Sequence, residues 1–334
     1  MVNRGIMFSM SERCLPLGQP LIDRYLFRAP DIRLIKEVLI LMEQLLDITY
    51  YLHSGFSAAL DDTLLVFDYW TGEHGELPFD QRITPEYLQK FREIVVFVSH
   101  EHPDHMDPQV FEWRKDFPVT YIVSHDMPVG TRGKRMAPGD TLTVSENITV
   151  RAFDSTDLGV SFLVDLKGIR IFHAGDLNFW HWREESTLKE IEEADQDFQQ
   201  AIIPLKDEPI DVAFFPVDPR QGRLFDAGAN TFILSVKPRV LIPMHFWGRA
   251  EIAVEFARRA RCRETEVLAM TSYGEQIRLQ FEDDGYLTIH LLTAPRAAVK
   301  PVVMEEVPAD DVNLLGYEED DPFNETDLPI KMDE

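Results

Sequence analysis

The segment Ser99-His100-Glu101-His102-Pro103-Asp104-His105 packs three imidazoles and two carboxylates into seven residues, directly after the apolar run 94–98. That run has the β-branched and aromatic character of a buried strand, which puts a metal site at a strand's mouth. His100 and His102 are two apart, so in extended chain both rings project to one side and can grip one ion. Pro103 fixes its own φ and biases His102 toward extended backbone, which aims Asp104 and His105 at a second point nearby. Two neighbouring cation sites follow. Imidazole and carboxylate donors without thiolate suit zinc, iron or manganese in an open, hydrolytic centre. A merely solvated histidine-rich loop is the weaker reading, given the strand before it and the H-x-H-x-D-H order.

The rest of the composition narrows what such a centre serves. The 334 residues carry 33 basic and 58 acidic side chains, a net charge of −25, of which the 305–334 segment supplies −11. An acidic surface lacks the basic footprint that releases counterions from a polyanion, so nucleic acid is disfavoured as substrate. Cys14 and Cys262 form no C-x-x-C pair, so neither a disulfide framework nor a thiolate site is expected, and a reducing, cytoplasmic setting fits. Residues 34–48 are apolar in part but interrupted by Lys36, Glu37, Glu43 and Asp47, an amphipathic rather than membrane-spanning pattern, and the first residues do not read as a secretory signal.

Three regions are expected: an extension over 1–44, a catalytic domain over 45–295, and an acidic, disordered tail over 296–334. Met42, just before strand-like sequence begins at 48–52, offers an alternative start. Strands are expected at Phe56–Leu60, Thr63–Phe67, 94–98, 119–123, Ile148–Phe153, 160–165, Ile169–His173, 212–215, 239–244 and 266–270, with helices at Pro108–Lys115, 184–200, 230–236 and 251–261. Strands that first meander and then alternate with helices fit an α/β fold, a four-layer αββα sandwich of two mostly antiparallel sheets with outer helices.

Two later segments supply further ligands. The apolar strand 169–173 ends in Ala174-Gly175-Asp176, a carboxylate at a strand tip beside a small residue, and Asp176 can bridge two cations. The strand 239–244 delivers His245 at its end. This ordered set resembles the metallo-β-lactamase-fold hydrolase superfamily. The resemblance implies that His100 and His102 hold the first metal and Asp104, His105 and His245 the second, with Asp176 bridging. The opening 49–56 and the phrase Phe172-His173-Ala174-Gly175-Asp176 look most like the ascorbate-6-phosphate lactonase-like branch. One position departs from the family pattern. Where a middle histidine is usual, the chain reads Asp154-Ser155-Thr156-Asp157, so either Asp157 or Asp154 replaces it as an oxygen ligand, shifting preference toward manganese or iron, or the first site is partly filled, or catalysis is lost.

Around this centre, Trp180 and His181 either wall a pocket and touch substrate or pack under the next helix. Arg220 either binds an anionic substrate group or pairs with Asp218. His173 reads as supporting a ligand, His53 and His125 stand at strand ends, and His74 and His290 carry no assigned role. The expected function is a metal-dependent hydrolase with two divalent ions, zinc first and manganese or iron as alternatives. They lower the pKa of a shared water to about 7, Asp104 orients that water and accepts its proton, and an ester, lactone or phosphodiester bond of a small anionic molecule is attacked. The expected partner is a small-molecule substrate, with no nucleic acid or membrane and homo-oligomerisation left open. A non-catalytic metal-binding or scaffold protein of the same fold is the rival reading.

Overall fold

A computed structural model describes residues 44–182, 185–260, 262–282 and 286–293. The expected extension and acidic tail lie outside the described residues, apart from Gln44 of the former. One sheet holds β1 (Gln44–Tyr50), β2 (Phe56–Leu60), β3 (Thr63–Phe67), β4 (Glu93–Val98), β5 (Val119–Ser124) and β6 (Lys134–Met136), joined by β14 (Gln276–Phe281) and β15 (Leu287–Leu291) in the order β15-β14-β1-β2-β3-β4-β5-β6. The other runs β13-β12-β11-β10-β9-β8-β7, from β7 (Thr141–Ser145), β8 (Ile148–Phe153), β9 (Ser161–Leu166), β10 (Ile169–His173), β11 (Val212–Pro216), β12 (Val240–Met244) and β13 (Glu266–Val267).

The expected α/β architecture of two sheets with helices is present, and both sheets are mixed rather than mostly antiparallel. β3 to β6 are mutually parallel, as are β10 to β13, while β14-β1-β2-β3 and β7-β8-β9-β10 are antiparallel. Long crossovers account for the parallel halves, since a parallel neighbour cannot be reached by a tight hairpin. The helices α2 (Leu188–Ile202), α3 (Ala227–Val236) and α4 (Ala250–Arg259) make the crossovers of the second sheet, after the short α1 (Pro85–Leu88) beside the first.

Period-two alternation in the central strands decides which side chains meet. Leu65, Phe67, Val95 and Phe97 join the core between the sheets, whereas Leu64, Val66, Ile94, Val96 and Val98 join a second cluster with Leu88, Val110 and Trp113. The sheets interlock through Phe56 on Phe214, 4.3 Å apart and stacked, and Phe97 on Phe162 at 5.4 Å. Beyond the second sheet, Phe215 turns outward onto Phe232 of α3 at 4.5 Å and Phe198 of α2 at 6.3 Å. Both faces of the central strands are thus buried, which is why they read as unbroken apolar runs.

Several local expectations shift. Pro108–Lys115 forms 3₁₀ turns capped by Asp107 on the Gln109 amide. The first strand ends at Tyr50, because residues 51–55 close a turn through Tyr51 N to Gly55 O and Gly55 N to Leu52 O. Strands β6, β7, β14 and β15, short or carrying many polar residues, have no counterpart among the sequence expectations. Among the described residues no helix is long and apolar enough to cross a membrane.

Candidate metal centre

β1 is antiparallel to β2 and β2 to β3, so β1, β3 and β4 point the same way, and their carboxyl ends meet those of parallel β10, β11 and β12. Each of these six strands is followed within three residues by a histidine or aspartate: His53, Asp68, His100, Asp176, Asp218 and His245. Gathering strand ends at one edge is the general route by which such sheets build a ligand crevice.

Asp176 stands at the middle. Its Oδ1 lies 3.0 Å from His105 Nε2 and 3.3 Å from His245 Nε2, while Oδ2 lies 3.4 Å from His100 Nε2. Gly175, at φ +54°, carries the chain past Ser99, and a Cβ there would come within 2.8 Å of the Ser99 Cβ. The far nitrogen of each imidazole is fixed by oxygen. His105 Nδ1 donates to Asp68 Oδ2 at 2.7 Å and His245 Nδ1 to Asp218 Oδ2 at 2.9 Å. Ser99 Oγ donates to Asp68 Oδ2 at 2.5 Å, which leaves it to accept from His100 Nδ1 at 2.9 Å. All three rings therefore present Nε2 to Asp176, the arrangement by which an outer carboxylate fixes the tautomer of a metal-ligating histidine. His100, His105 and His245 Nε2 and Asp176 Oδ1 are buried without a hydrogen-bond partner. Four such atoms converging on one point fit cations better than they fit one another, since a buried polar atom left unpaired costs about 1–3 kcal/mol.

Electrostatics follows from this crowding. Burial works against charge throughout, yet Asp176 and Asp68 hold the His105 imidazole well above its usual pKa, and Asp176 with Asp218 holds His245 up at about 9. Asp176 stays well below the carboxylate range despite burial because of His105 and His245. Asp104 is likewise held low against its partial burial, by His53 and the charge on His105. His53 goes the other way: burial, then His245, lower it to about 3.

The structure brings His100, His102, Asp104, His105, Asp157, Asp176 and His245 into three overlapping ligand groups: His53-Asp104-His105-His245, His100-His105-Asp176 and His102-Asp157-Asp176, the donor atoms within each lying no more than 4.8 Å apart. Asp157 meets His102 Nδ1 at 3.9 Å. Its loop is pinned to the β4 exit by the bond from Val160 N to Ser99 O at 3.0 Å, and by Gly159 at φ +79°, where a Cβ would fall 2.0 Å from that carbonyl. Asp154 is in none of the groups.

Trp180 donates from Nε1 to the Asp176 carbonyl at 2.7 Å and sets its ring 5.6 Å from His245, so it walls the centre. His181 is buried against Phe179, 4.6 Å between rings, and belongs to none of the ligand groups. Arg220 pairs with Asp218 through Nε at 2.9 Å and Nη2 at 2.6 Å, with its guanidinium over Trp182 and Trp247 at 5.5 and 4.7 Å. His173 donates from Nε2 to Ser54 O and accepts the Gly175 amide on Nδ1, supporting the turn that carries Asp176. His125 is exposed.

Sequence reasoning passed over Asp68 and Asp218 as the groups that orient His105 and His245, and gave His53 no place among the ligands. A signal was present, an apolar strand ending in an ionisable residue. The structure adds backbone strain that no sequence shows: His53, Asp68, His245 and Trp247 all have positive φ, an uncommon state for non-glycine residues that gathers at functional sites.

Residues 66–246 match the profile of the family described as the beta-lactamase superfamily domain. No curated protein matches the chain in sequence. Among solved structures, the chain is similar to Igni18, a metallo hydrolase from the hyperthermophilic archaeon Ignicoccus hospitalis, at 18% identity and a TM-score of 0.53 over 71% of this chain and 100% of that one. The diiron β-hydroxylase CmlA from Streptomyces venezuelae gives 14% identity and a TM-score of 0.47 over 72% of this chain and 54% of that one. The metallo-beta-lactamase fold protein YhfI from Bacillus subtilis gives 13% and 0.44 over 74% and 99%. Likeness at these identities speaks to the fold alone.

Proposed function

The chain belongs to the beta-lactamase superfamily, whose profile it matches over more than half its length, and from that premise we propose that it is a binuclear metal-dependent hydrolase of a small anionic ester, lactone or phosphodiester. The observation that carries this reading is the convergence of three buried, oxygen-anchored imidazoles on the two oxygens of Asp176. When bound, two divalent cations supply Lewis acidity and a water whose pKa falls to about 7.

The residues divide the work. His100, His102, Asp157 and Asp176 would hold the first cation, and Asp104, His105, His245 and Asp176 the second. Asp104, kept ionised and only part-buried, is the group that would orient a water at the centre and receive its proton. Zinc is the first candidate, and the oxygen donor at Asp157 leaves manganese and iron in play. Arg220, held rigid between Asp218, Trp182 and Trp247, puts a cationic edge beside the second-cation ligands and supports an anionic substrate. The net charge of −25 argues against a nucleic acid, and the likeness of 49–56 and 172–176 to the ascorbate-6-phosphate lactonase-like branch makes a lactone the first substrate to try. A cytoplasmic setting belongs to the same reading.

Elemental analysis of protein purified without added metal, beside the His102→Ala and Asp176→Ala variants, tests it. Two ions per chain, reduced in the variants, together with turnover in a panel of lactones, aryl esters and phosphodiesters, is the expected result. Protein that binds no divalent ion overturns it. One ion without turnover favours the non-catalytic reading.

A further inference from the structure

His53 is the one imidazole at the centre that the expected ligand set leaves without a task. It follows β1 in the turn Tyr51-Leu52-His53-Ser54-Gly55, where its φ of +56° is a strained state for a non-glycine residue. The side chain is buried, and neither ring nitrogen has a hydrogen-bond partner among the described residues. Nε2 points at Asp104 Oδ2 from 3.2 Å, and the ring lies 4.0 Å from that of His245 and 5.6 Å from that of His105. The main chain fastens the same pair, since the His53 carbonyl accepts the His245 amide at 3.2 Å. Trp70 and Trp247 close around the ring at 5.9 and 4.5 Å.

A strained, buried histidine whose Nδ1 has no partner among the described residues and whose Nε2 meets only Asp104 Oδ2, one donor atom of which lies within 4.8 Å of donors from Asp104, His105 and His245, has the placement of a ligand. We propose that His53 is a further ligand of the second cation. This rests on the binuclear reading above and changes what the centre selects. With His53, the second cation has three imidazoles and two carboxylates, Asp104 and Asp176, from the protein. Five protein donors of imidazole and carboxylate would suit manganese or iron better than zinc, whose sites use three or four protein ligands. The first cation keeps two imidazoles and two carboxylates. The two positions would therefore differ in the number of protein donors as well as in exposure.

The competing role for His53 is to hold Asp104 in place without touching the ion, and a double-mutant cycle on metal affinity separates the two. Chelator-stripped protein is titrated with manganese alone against a fluorescent chelator, for the wild type and for His53→Gly, His53→Asn, Asp104→Ala and the pairing of each His53 change with Asp104→Ala. Glycine and asparagine are chosen because both accept positive φ, so the turn survives; circular dichroism of the stripped proteins checks this. The wild type should bind two ions. Each His53 variant should weaken one of them at least about tenfold and leave the other within about twofold. The loss should recur in the Asp104→Ala background, and added imidazole should restore part of the affinity of His53→Gly. Unchanged affinities, or a loss that vanishes once Asp104 is gone, overturn the ligand role and leave the binuclear centre standing. A wild type that binds no ion overturns both.

Discussion

The two halves of the centre are built to different standards. On the side of the second cation, His105 and His245 are fully buried, each tied through Nδ1 to its own buried aspartate, Asp68 and Asp218. On the side of the first, His100 is just as buried, but His102 and Asp157 have side chains 41% and 40% exposed and stand 3.9 Å apart. The buried half is rigid before any cation arrives, because its imidazoles cannot turn without breaking charge-assisted hydrogen bonds in a medium where these are strong. The exposed half has solvent competing for each donor. Preorganisation is thus concentrated where the strand ends meet, and the loop residues complete the site from outside.

Removing what the halves share has the largest effect. Asp176→Ala takes away the oxygens that face both, and the expected outcome is loss of both ions, read by elemental analysis, and of activity by more than about a thousandfold, read by kcat/KM on any substrate found. Asp68→Ala comes next and acts mainly on the buried half. It frees Ser99 and the Nδ1 of His105 at once, and should weaken the second cation about 10–100-fold while changing the first less. Equal losses at both positions would break the comparison. Proton competition is the third effect. His245 titrates at about 9 because Asp176 and Asp218 outweigh its burial, and its Nε2 proton occupies the place of a cation. The metal-free fold gains from that proton fully below the unfolded value of about 6.5 and loses the gain as pH rises through about 9. The Tm of stripped protein should therefore fall between these values, while apparent metal affinity climbs by up to about tenfold per pH unit and then levels off. A flat affinity profile would mean that His245 carries no such proton.

The sequence made much of this legible because the ligands of the buried half sit where pattern and chemistry coincide. An apolar run followed by histidine or aspartate marks β4, β10 and β12. The same mark stands after β3 at Asp68, but an isolated aspartate after a strand is ordinary turn chemistry. Its meaning depends on β3 lying parallel to β4, a fact of register. The mark also stands after β5 at His125, which is exposed and takes no part, because β5 lies farther along the sheet. His53 was hidden for a related reason. The turn after β1 is some fifty residues from the histidine cluster, and only the β1-β2-β3 hairpins return it to the same edge.

The smallest expected effect falls on the exposed half, and it sharpens the comparison. Asp157→His supplies the imidazole that the family pattern places near this point, beside His102 and Asp176. Three nitrogens and one carboxylate suit zinc better than two and two, so the ratio of zinc to manganese affinity at the first position should rise by about tenfold or less. The gain is limited because His102 and the new side chain both stay partly in solvent, and a loop ligand gives up conformational entropy when it binds. The second position lies behind Asp176 and should keep its own preference within about twofold. Competition titrations with zinc and manganese on the variant and the parent measure both ratios. If the second position shifted as strongly as the first, the two halves would be one coupled unit; a shift confined to the first would mean that loop and strand ends set their metal preferences separately.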